Sequence, residues 1–119
     1  MQTQLNSFQY NPNNETDMET VFINQIQENI IKAACQHFEI TEELLISGTS
    51  FNIAYMRWCV FYLVKQHTLL NEKFIANRLK KLRNAFRNGV ETIEIRKKIY
   101  GQTVDDLRKI EKLAGLSDK

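Results

Sequence analysis

The chemically most suggestive part of this sequence is a basic segment from residue 72 to residue 98. It holds nine lysines and arginines against three acids, whereas residues 1–50 hold seven acids and one base. Lysine and arginine bind phosphate, arginine also pairs with guanine, and asparagine pairs with adenine. The segment therefore favours a partner with a negative surface. The candidate contact residues are Arg57, Lys73, Arg78, Lys81, Arg83, Arg87, Asn88, Thr92 and Arg96.

Each of these residues also has a purely structural interpretation. A run of charges often does no more than solvate one face of a helix. Asn88 and Gly89 form a common turn pair, so Asn88 could simply belong to a surface loop. Arg57 lies in an almost wholly apolar stretch, where a charge without a partner would be costly. Its structural alternative is an ion pair with an acid from the first third of the chain.

The sequence offers no catalytic or metal-binding pattern. His37 and His67 stand apart, with no cysteine or acid at the spacing of a metal site or a catalytic triad. No nucleophile motif, glycine-rich phosphate loop or acid–base pair is visible. Cys35 and Cys59 lie in apolar helical runs, which is typical of buried thiols in a reducing compartment. We therefore expect no cofactor, no metal and no enzymatic activity.

The elements that must position the basic residues are predicted to be helices. With 4 glycines and 1 proline in 119 residues, the composition argues against a turn-rich β architecture. Apolar residues recur every three or four positions, which indicates an all-α, compact bundle of about six helices. The predicted helices run from Thr16 or Asp17 to Phe38, across 41–48, from Phe51 to His67, from Asn71 to Asn88, from Val90 to Tyr100, and onward from an N-cap at Thr103.

Two segments have a distinctive character. The helix predicted from Phe51 to His67 is apolar nearly all round, so it belongs at the centre of the bundle with Trp58 largely buried. Residues 1–15 are rich in asparagine and glutamine, so we expect a flexible arm before a single domain over 16–119. No apolar run has the length of a membrane span, and no secretion signal is visible. We expect a cytoplasmic protein that does not bind membranes.

Three short blocks of this sequence occur together in one known family. They read HFEITEELL (His37–Leu45), RWCVFYL (Arg57–Leu63) and NEKFIA (Asn71–Ala76). In this order they resemble the C-terminal duplex-DNA-binding domain of DnaA-type bacterial replication initiators, across residues 30–100. That domain is a helix-turn-helix fold related to Trp repressor. The resemblance implies a bacterial protein that acts in replication or transcription, with Arg57 directed at the DNA backbone or the minor groove.

The family reads bases through a block near GGRDHTTV, and this chain departs from that block. One alignment register matches it to RNGVET (Arg87–Thr92), with RKKI following, and needs an insertion after Ile75. Arg87 agrees, Asn88 stands in for an aspartate, and the family's histidine and threonines are replaced. A register without the insertion puts Asn84-Ala85-Phe86 at the base-reading positions instead. The chain also contains no ATPase module or P-loop.

Two functions of different classes follow from the sequence. The first is duplex-DNA binding, with phosphate contacts from the basic segment and base contacts at a helix N-terminus. The second is a helical adaptor that uses the same basic face to bind an acidic protein. The sequence leaves the target site and the oligomeric state open, including a homodimer.

Overall fold

The structure, a computed structural model, describes residues 14–116, with side chains described from residue 21 onward. Within that range the chain forms six helices and no strand, which confirms the all-helical prediction. The predicted arm lies outside the described residues, except that its last two residues belong to the first helix. The helices are α1 (Asn14–Phe38), α2 (Glu42–Ser47), α3 (Phe51–His67), α4 (Glu72–Arg78), α5 (Arg83–Ile99) and α6 (Gly101–Leu113).

Helix α3 is the centre of the bundle and packs against all five other helices. Its buried side chains point in every direction around the helix axis, as its apolar sequence predicts. Phe61 packs edge-to-face on Phe86 of α5, with ring centroids 5.3 Å apart. Each fully buried Leu, Ile or Phe side chain contributes about 1.5–3 kcal/mol relative to an exposed one, so the face of α5 that meets α3 is strongly held.

Side-chain caps begin three of the helices. Thr41 accepts a hydrogen bond from the backbone N–H of Leu44, and Ser50 accepts one from Ile53. Asn71 accepts one from the N–H of Lys73 at the start of α4. Such a cap satisfies a backbone donor that would otherwise have no partner at the end of the helix.

The prediction of one helix from Asn71 to Asn88 is wrong, because residues 79–82 separate two helices, α4 and α5. Lys80 has a φ of 59°, and the N–H of Lys81 donates to the carbonyl of Ala76 (2.9 Å). This is the Schellman helix ending, which usually has glycine where Lys80 stands. The break buries both Leu79 and Phe86 and leaves Leu82 80% exposed.

The predicted helix end at Asn88-Gly89 is also wrong, since both residues lie inside α5. Gly89 is there because Trp58 of α3 packs against it: a Cβ at Gly89 would lie 2.5 Å from Cδ1 of Trp58. Trp58 itself is partly buried and packs against the core, with its ring edge-to-face on Phe51. Helix α6 begins at Gly101 instead of after Thr103, and Thr103 is fully buried.

Replacing Gly89 with alanine tests the contact between α3 and α5. Alanine favours a helix interior by about 1 kcal/mol over glycine, but overpacking against Trp58 costs about 1–3 kcal/mol. We expect Gly89→Ala to lower the free energy of unfolding, measured by urea denaturation. Gly101→Ala is the matched control, because a Cβ there meets nothing within 4 Å and stability should be unchanged or slightly raised. Equal behaviour of the two variants would contradict the close packing.

Candidate nucleic-acid interface

Helices α4 and α5 and the four residues between them present the basic segment on one side of the bundle. Both helices pack on α3 and on each other. Helix α5 buries Phe86, Gly89 and Ile93, which recur at helical spacing and fix the helix against the core. Its opposite face is therefore held in a defined orientation towards solvent.

Apart from the apolar Leu82, the exposed side chains in the first two turns of α5, and that of Lys80 just before it, are basic or carry an amide. They are Lys80, Arg83, Asn84, Arg87 and Asn88, and we call this set the α5 N-terminal surface. The N-cap residue, Leu82, offers no side-chain hydrogen bond, and the first turn contains no acid. The first backbone N–H groups of α5 thus have no side-chain acceptor, at the positive end of the helix dipole. This surface can hold an anionic group.

The start of α5 at Arg83 moves two predicted residues away from a helix end. Arg87 and Asn88 lie in the second turn of α5, whereas Arg83 and Asn84 occupy its first turn. Of the two alignment registers, the one without an insertion therefore coincides with an observed helix start. Phe86 in that register is buried, so Arg83 and Asn84 are the side chains that reach solvent there. Lys80 and Asn84 were not among the predicted contact residues.

Two further cations of the basic segment, Lys73 and Lys81, border this surface. Lys73 is exposed on α4, and Lys81 is half-buried in the connector. Burial, and then the nearby charge of Arg57, lowers the pKa of Lys81. Arg87 Nε lies 3.0 Å from Glu72 Oε1, and this hydrogen bond lowers the pKa of Glu72. Because Arg87 is exposed, the contact with Glu72 is weak enough to be exchanged for another anion.

Arg78 is drawn into the fold and away from the α5 N-terminal surface. Its Nε and Nη2 atoms each lie 2.6 Å from a carboxylate oxygen of Glu28, and Nη1 lies 2.9 Å from Glu42 Oε2. The hydrogen bond with Glu28 raises the pKa of Arg78 further above its ordinary value, and the one with Glu42 adds to the effect. This bidentate pairing ties α4 to α1 and α2.

The sequence suggests two roles for Arg57, a DNA contact or an ion pair with an acid, and its contacts among the described residues show neither. The residue is 9% exposed, and Nη1 donates to the carbonyls of Leu45 (2.7 Å) and Gly48 (3.1 Å). It therefore satisfies carbonyl groups at the end of α2, pairs with no acid among the side chains described, and does not extend into solvent. Burial lowers the pKa of its guanidinium.

Thr92 and Arg96 lie further along α5 and are both partly buried. Thr92 Oγ1 donates to the carbonyl of Asn88 within the helix (2.7 Å). The guanidinium of Arg96 stacks over the rings of Tyr100 (4.5 Å) and Tyr55 (4.9 Å), which are favourable cation–π contacts. The structure thus brings Arg83, Arg87 and Asn88 together and separates Arg57, Arg78 and Arg96 from them.

The solvent face of α5 changes character beyond its second turn. Glu91 and Glu94 are exposed there, and Ile95 is 58% exposed. These acids would repel phosphate, so the part of α5 suited to an anionic partner ends near Asn88.

Within residues 14–116, no group of three or more histidine, cysteine or acidic side chains is placed to hold a metal ion. None of the helices in that range combines the length and the apolar character that crossing a bilayer requires. The two histidines each pair with an acid of α6, His37 with Asp106 (2.8 Å) and His67 with Glu111 (2.6 Å). Both pairs fix α6 to its neighbours.

No protein-family model matches the chain, and comparisons with curated proteins and with solved structures give no significant match. The resemblance to the initiator domain therefore rests on the three sequence blocks alone.

The contacts of Arg57 predict a loss of stability when its charge is removed. In Arg57→Met the apolar stem remains, but the carbonyls of Leu45 and Gly48 lose their donor, at a cost of roughly 2–3 kcal/mol. We expect this drop in urea denaturation, and little change for Lys65→Met, an exposed cation on the same helix. If Arg57→Met weakened duplex binding while leaving stability intact, Arg57 would instead be a DNA contact.

Proposed function

We propose that this protein binds duplex DNA through the α5 N-terminal surface, with α4, the connector and α5 acting as a helix-turn-helix. In such a motif the second helix enters the major groove with its N-terminal residues at the base edges, while the first helix lies across the backbone. The short connector and the exposed first turn of α5 support this assignment. The three sequence blocks that resemble the initiator domain support it independently.

The observation that carries the proposal is the concentration of donors at the N-terminal end of α5. Three cations and two amides are exposed there, with no acid in the first turn of the helix. Lys80 and Arg87 are suited to phosphate, since both are flexible cations at the edge of the surface. Arg83 and Asn84 are suited to base edges, because arginine pairs with guanine and asparagine with adenine.

The packing beneath α5 suits this role. A helix that reads bases must be rigid, because each freely moving side chain or segment that binding immobilises lowers the affinity. Phe86 and Ile93 are buried against the core and hold α5 at two successive levels. The side chains on the opposite face therefore start from a fixed backbone.

A second candidate function is supported by the other half of the same face. Beyond Asn88, α5 exposes Glu91, Glu94 and Ile95, and Leu82 at its start is 80% exposed. A mixture of basic, acidic and apolar side chains is more typical of a protein-binding surface than of a DNA-binding one. The alternative is therefore a helical adaptor whose basic end meets an acidic protein partner.

Salt dependence distinguishes the two candidate functions. If about four to six phosphates are neutralised, the logarithm of the affinity for a labelled duplex should fall against the logarithm of salt concentration with a slope of roughly −4 to −5. Fluorescence anisotropy with duplexes of unrelated sequence measures this slope. An absence of binding at about 50 mM salt, with the fold intact by circular dichroism, would favour the adaptor.

Single substitutions then assign the contacts. Arg87→Ala should weaken binding to all duplexes and reduce the salt slope by about one unit. Asn84→Ala should mainly change the preference between sequences, by about 1–3 kcal/mol at one base pair. Lys109→Ala removes one exposed charge from α6 and should leave both quantities unchanged. If Lys109→Ala weakened binding as much as Arg87→Ala, the α5 N-terminal surface would not be the interface.

A further inference from the structure

A second feature of the molecule is a cleft between α3, α5 and α6, near the C-terminal end of α5. Its volume is about 200 Å³. Its polar wall consists of Tyr62 and Gln66 of α3, Lys97 of α5 and Arg108 of α6, and its apolar wall includes Leu63 and Leu107. None of these residues belongs to the α5 N-terminal surface, so the cleft is separate from the proposed DNA interface.

Tyr62 lines this cleft, and its hydroxyl can donate one further hydrogen bond. Tyr62 is 5% exposed, and its oxygen accepts a hydrogen bond from Lys97 Nζ. An ammonium group can only donate, so the tyrosine oxygen must be the acceptor in this pair. The O–H of Tyr62 is then left to donate, and no acceptor for it occurs among the described residues. A buried donor of this kind calls for an acceptor.

The other polar groups of the cleft add further donors and few acceptors. Lys97 keeps two N–H groups beyond the one that Tyr62 accepts, and the hydrogen bond with Tyr62 raises the pKa of Lys97, which keeps it charged. Arg108 is exposed and forms no ion pair among the described residues. The carboxylate of Glu111 borders the cleft but lies 2.6 Å from His67 Nε2, which already uses one of its oxygens. The cleft thus has a surplus of donors and positive charge.

The opposite wall sets the shape of a suitable ligand. The accessible apolar surface of this wall comes mainly from Val104, which is partly exposed, while Leu63 (1% exposed) and Leu107 (6% exposed) belong to the core. Since a water molecule occupies roughly 30 Å³ of liquid, the cleft has room for about six or seven groups of that size. That space corresponds to a short carbon chain with one anionic head.

We propose that this cleft is a binding site for a small organic monocarboxylate with a short apolar chain. The carboxylate accepts hydrogen bonds from the Tyr62 hydroxyl and from Lys97 and Arg108, and the carbon chain lies against Leu63 and Leu107. A carboxylate supplies the acceptors that the donors lack, and the apolar chain covers a wall that water solvates poorly. The site does not depend on whether the protein binds DNA.

The test is a titration of the isotope-labelled full chain with hexanoate, followed by amide chemical shifts in NMR spectra. We expect saturable shifts centred on Leu63, Lys97 and Leu107. Two probes separate the parts of the ligand: hexan-1-ol has the chain without the charge, and inorganic phosphate has the charge without the chain. Each should bind at least about fivefold more weakly than hexanoate, a difference of about 1 kcal/mol.

Matched variants identify the groups that hold the carboxylate. Tyr62→Phe removes only the hydroxyl, and Lys97→Met removes only the charge; each should weaken hexanoate binding about fivefold or more. Lys98→Met removes a neighbouring exposed charge and should leave the affinity unchanged. If Tyr62→Phe or Lys97→Met failed to fold, Arg108→Ala, at an exposed position of α6, would replace it and should likewise weaken hexanoate binding.

Several outcomes would overturn the proposal. Shifts scattered over the whole surface, or no shifts at about 20 mM hexanoate, would mean that no site of useful affinity exists. Equal binding of hexan-1-ol would remove the role of the donors, and equal binding of phosphate would remove the role of the apolar wall. Unchanged affinity in both Tyr62→Phe and Lys97→Met would place the ligand elsewhere.

Discussion

The packing of α5 on α3 is the contact on which the rest of this structure depends. Phe86 meets Phe61 edge-to-face in the core, and Gly89 lets Trp58 lie directly against the helix backbone. Because α3 also touches every other helix, the position of α5 is fixed relative to the whole bundle. The α5 N-terminal surface and the cleft at the other end of α5 are both built on this one contact.

The break between α4 and α5 is compatible with the same packing. A continuous helix would also place Leu79 and Phe86 on one face, because they are spaced i, i+7. The chain instead turns at Lys80, in a left-handed conformation that costs a residue other than glycine about 1–2 kcal/mol. Burial of Leu79 and Phe86, at about 1.5–3 kcal/mol each, outweighs that cost. The turn is what exposes the first residues of α5.

The structure also shows that some of the acidic residues near the start of the sequence pair with residues of its basic segment. Part of the charge asymmetry along the sequence is internal, since Arg78 pairs with Glu28 and Glu42 from the acidic third of the chain. Arg57 and Arg96 are likewise occupied, one by backbone carbonyls and the other by aromatic rings. The exposed positive charge is therefore smaller than the sequence indicates, and one cluster of it lies at the N-terminal end of α5.

What the sequence determined by itself was local. The helical class, the caps at Thr41, Ser50 and Asn71, and the central position of α3 all depend on neighbouring residues or on apolar spacing, which a sequence displays directly. The tertiary structure alone decided where α5 begins, because the helix ending at Lys80 lacks the usual glycine and is stabilised by burial of Leu79 and Phe86. It also decided which arginines remain in solvent. The sequence does not distinguish an arginine that is solvated from one that pairs with a carboxylate or with the end of a helix. Which of these occurs depends on how distant segments such as α1 and α2 pack against it.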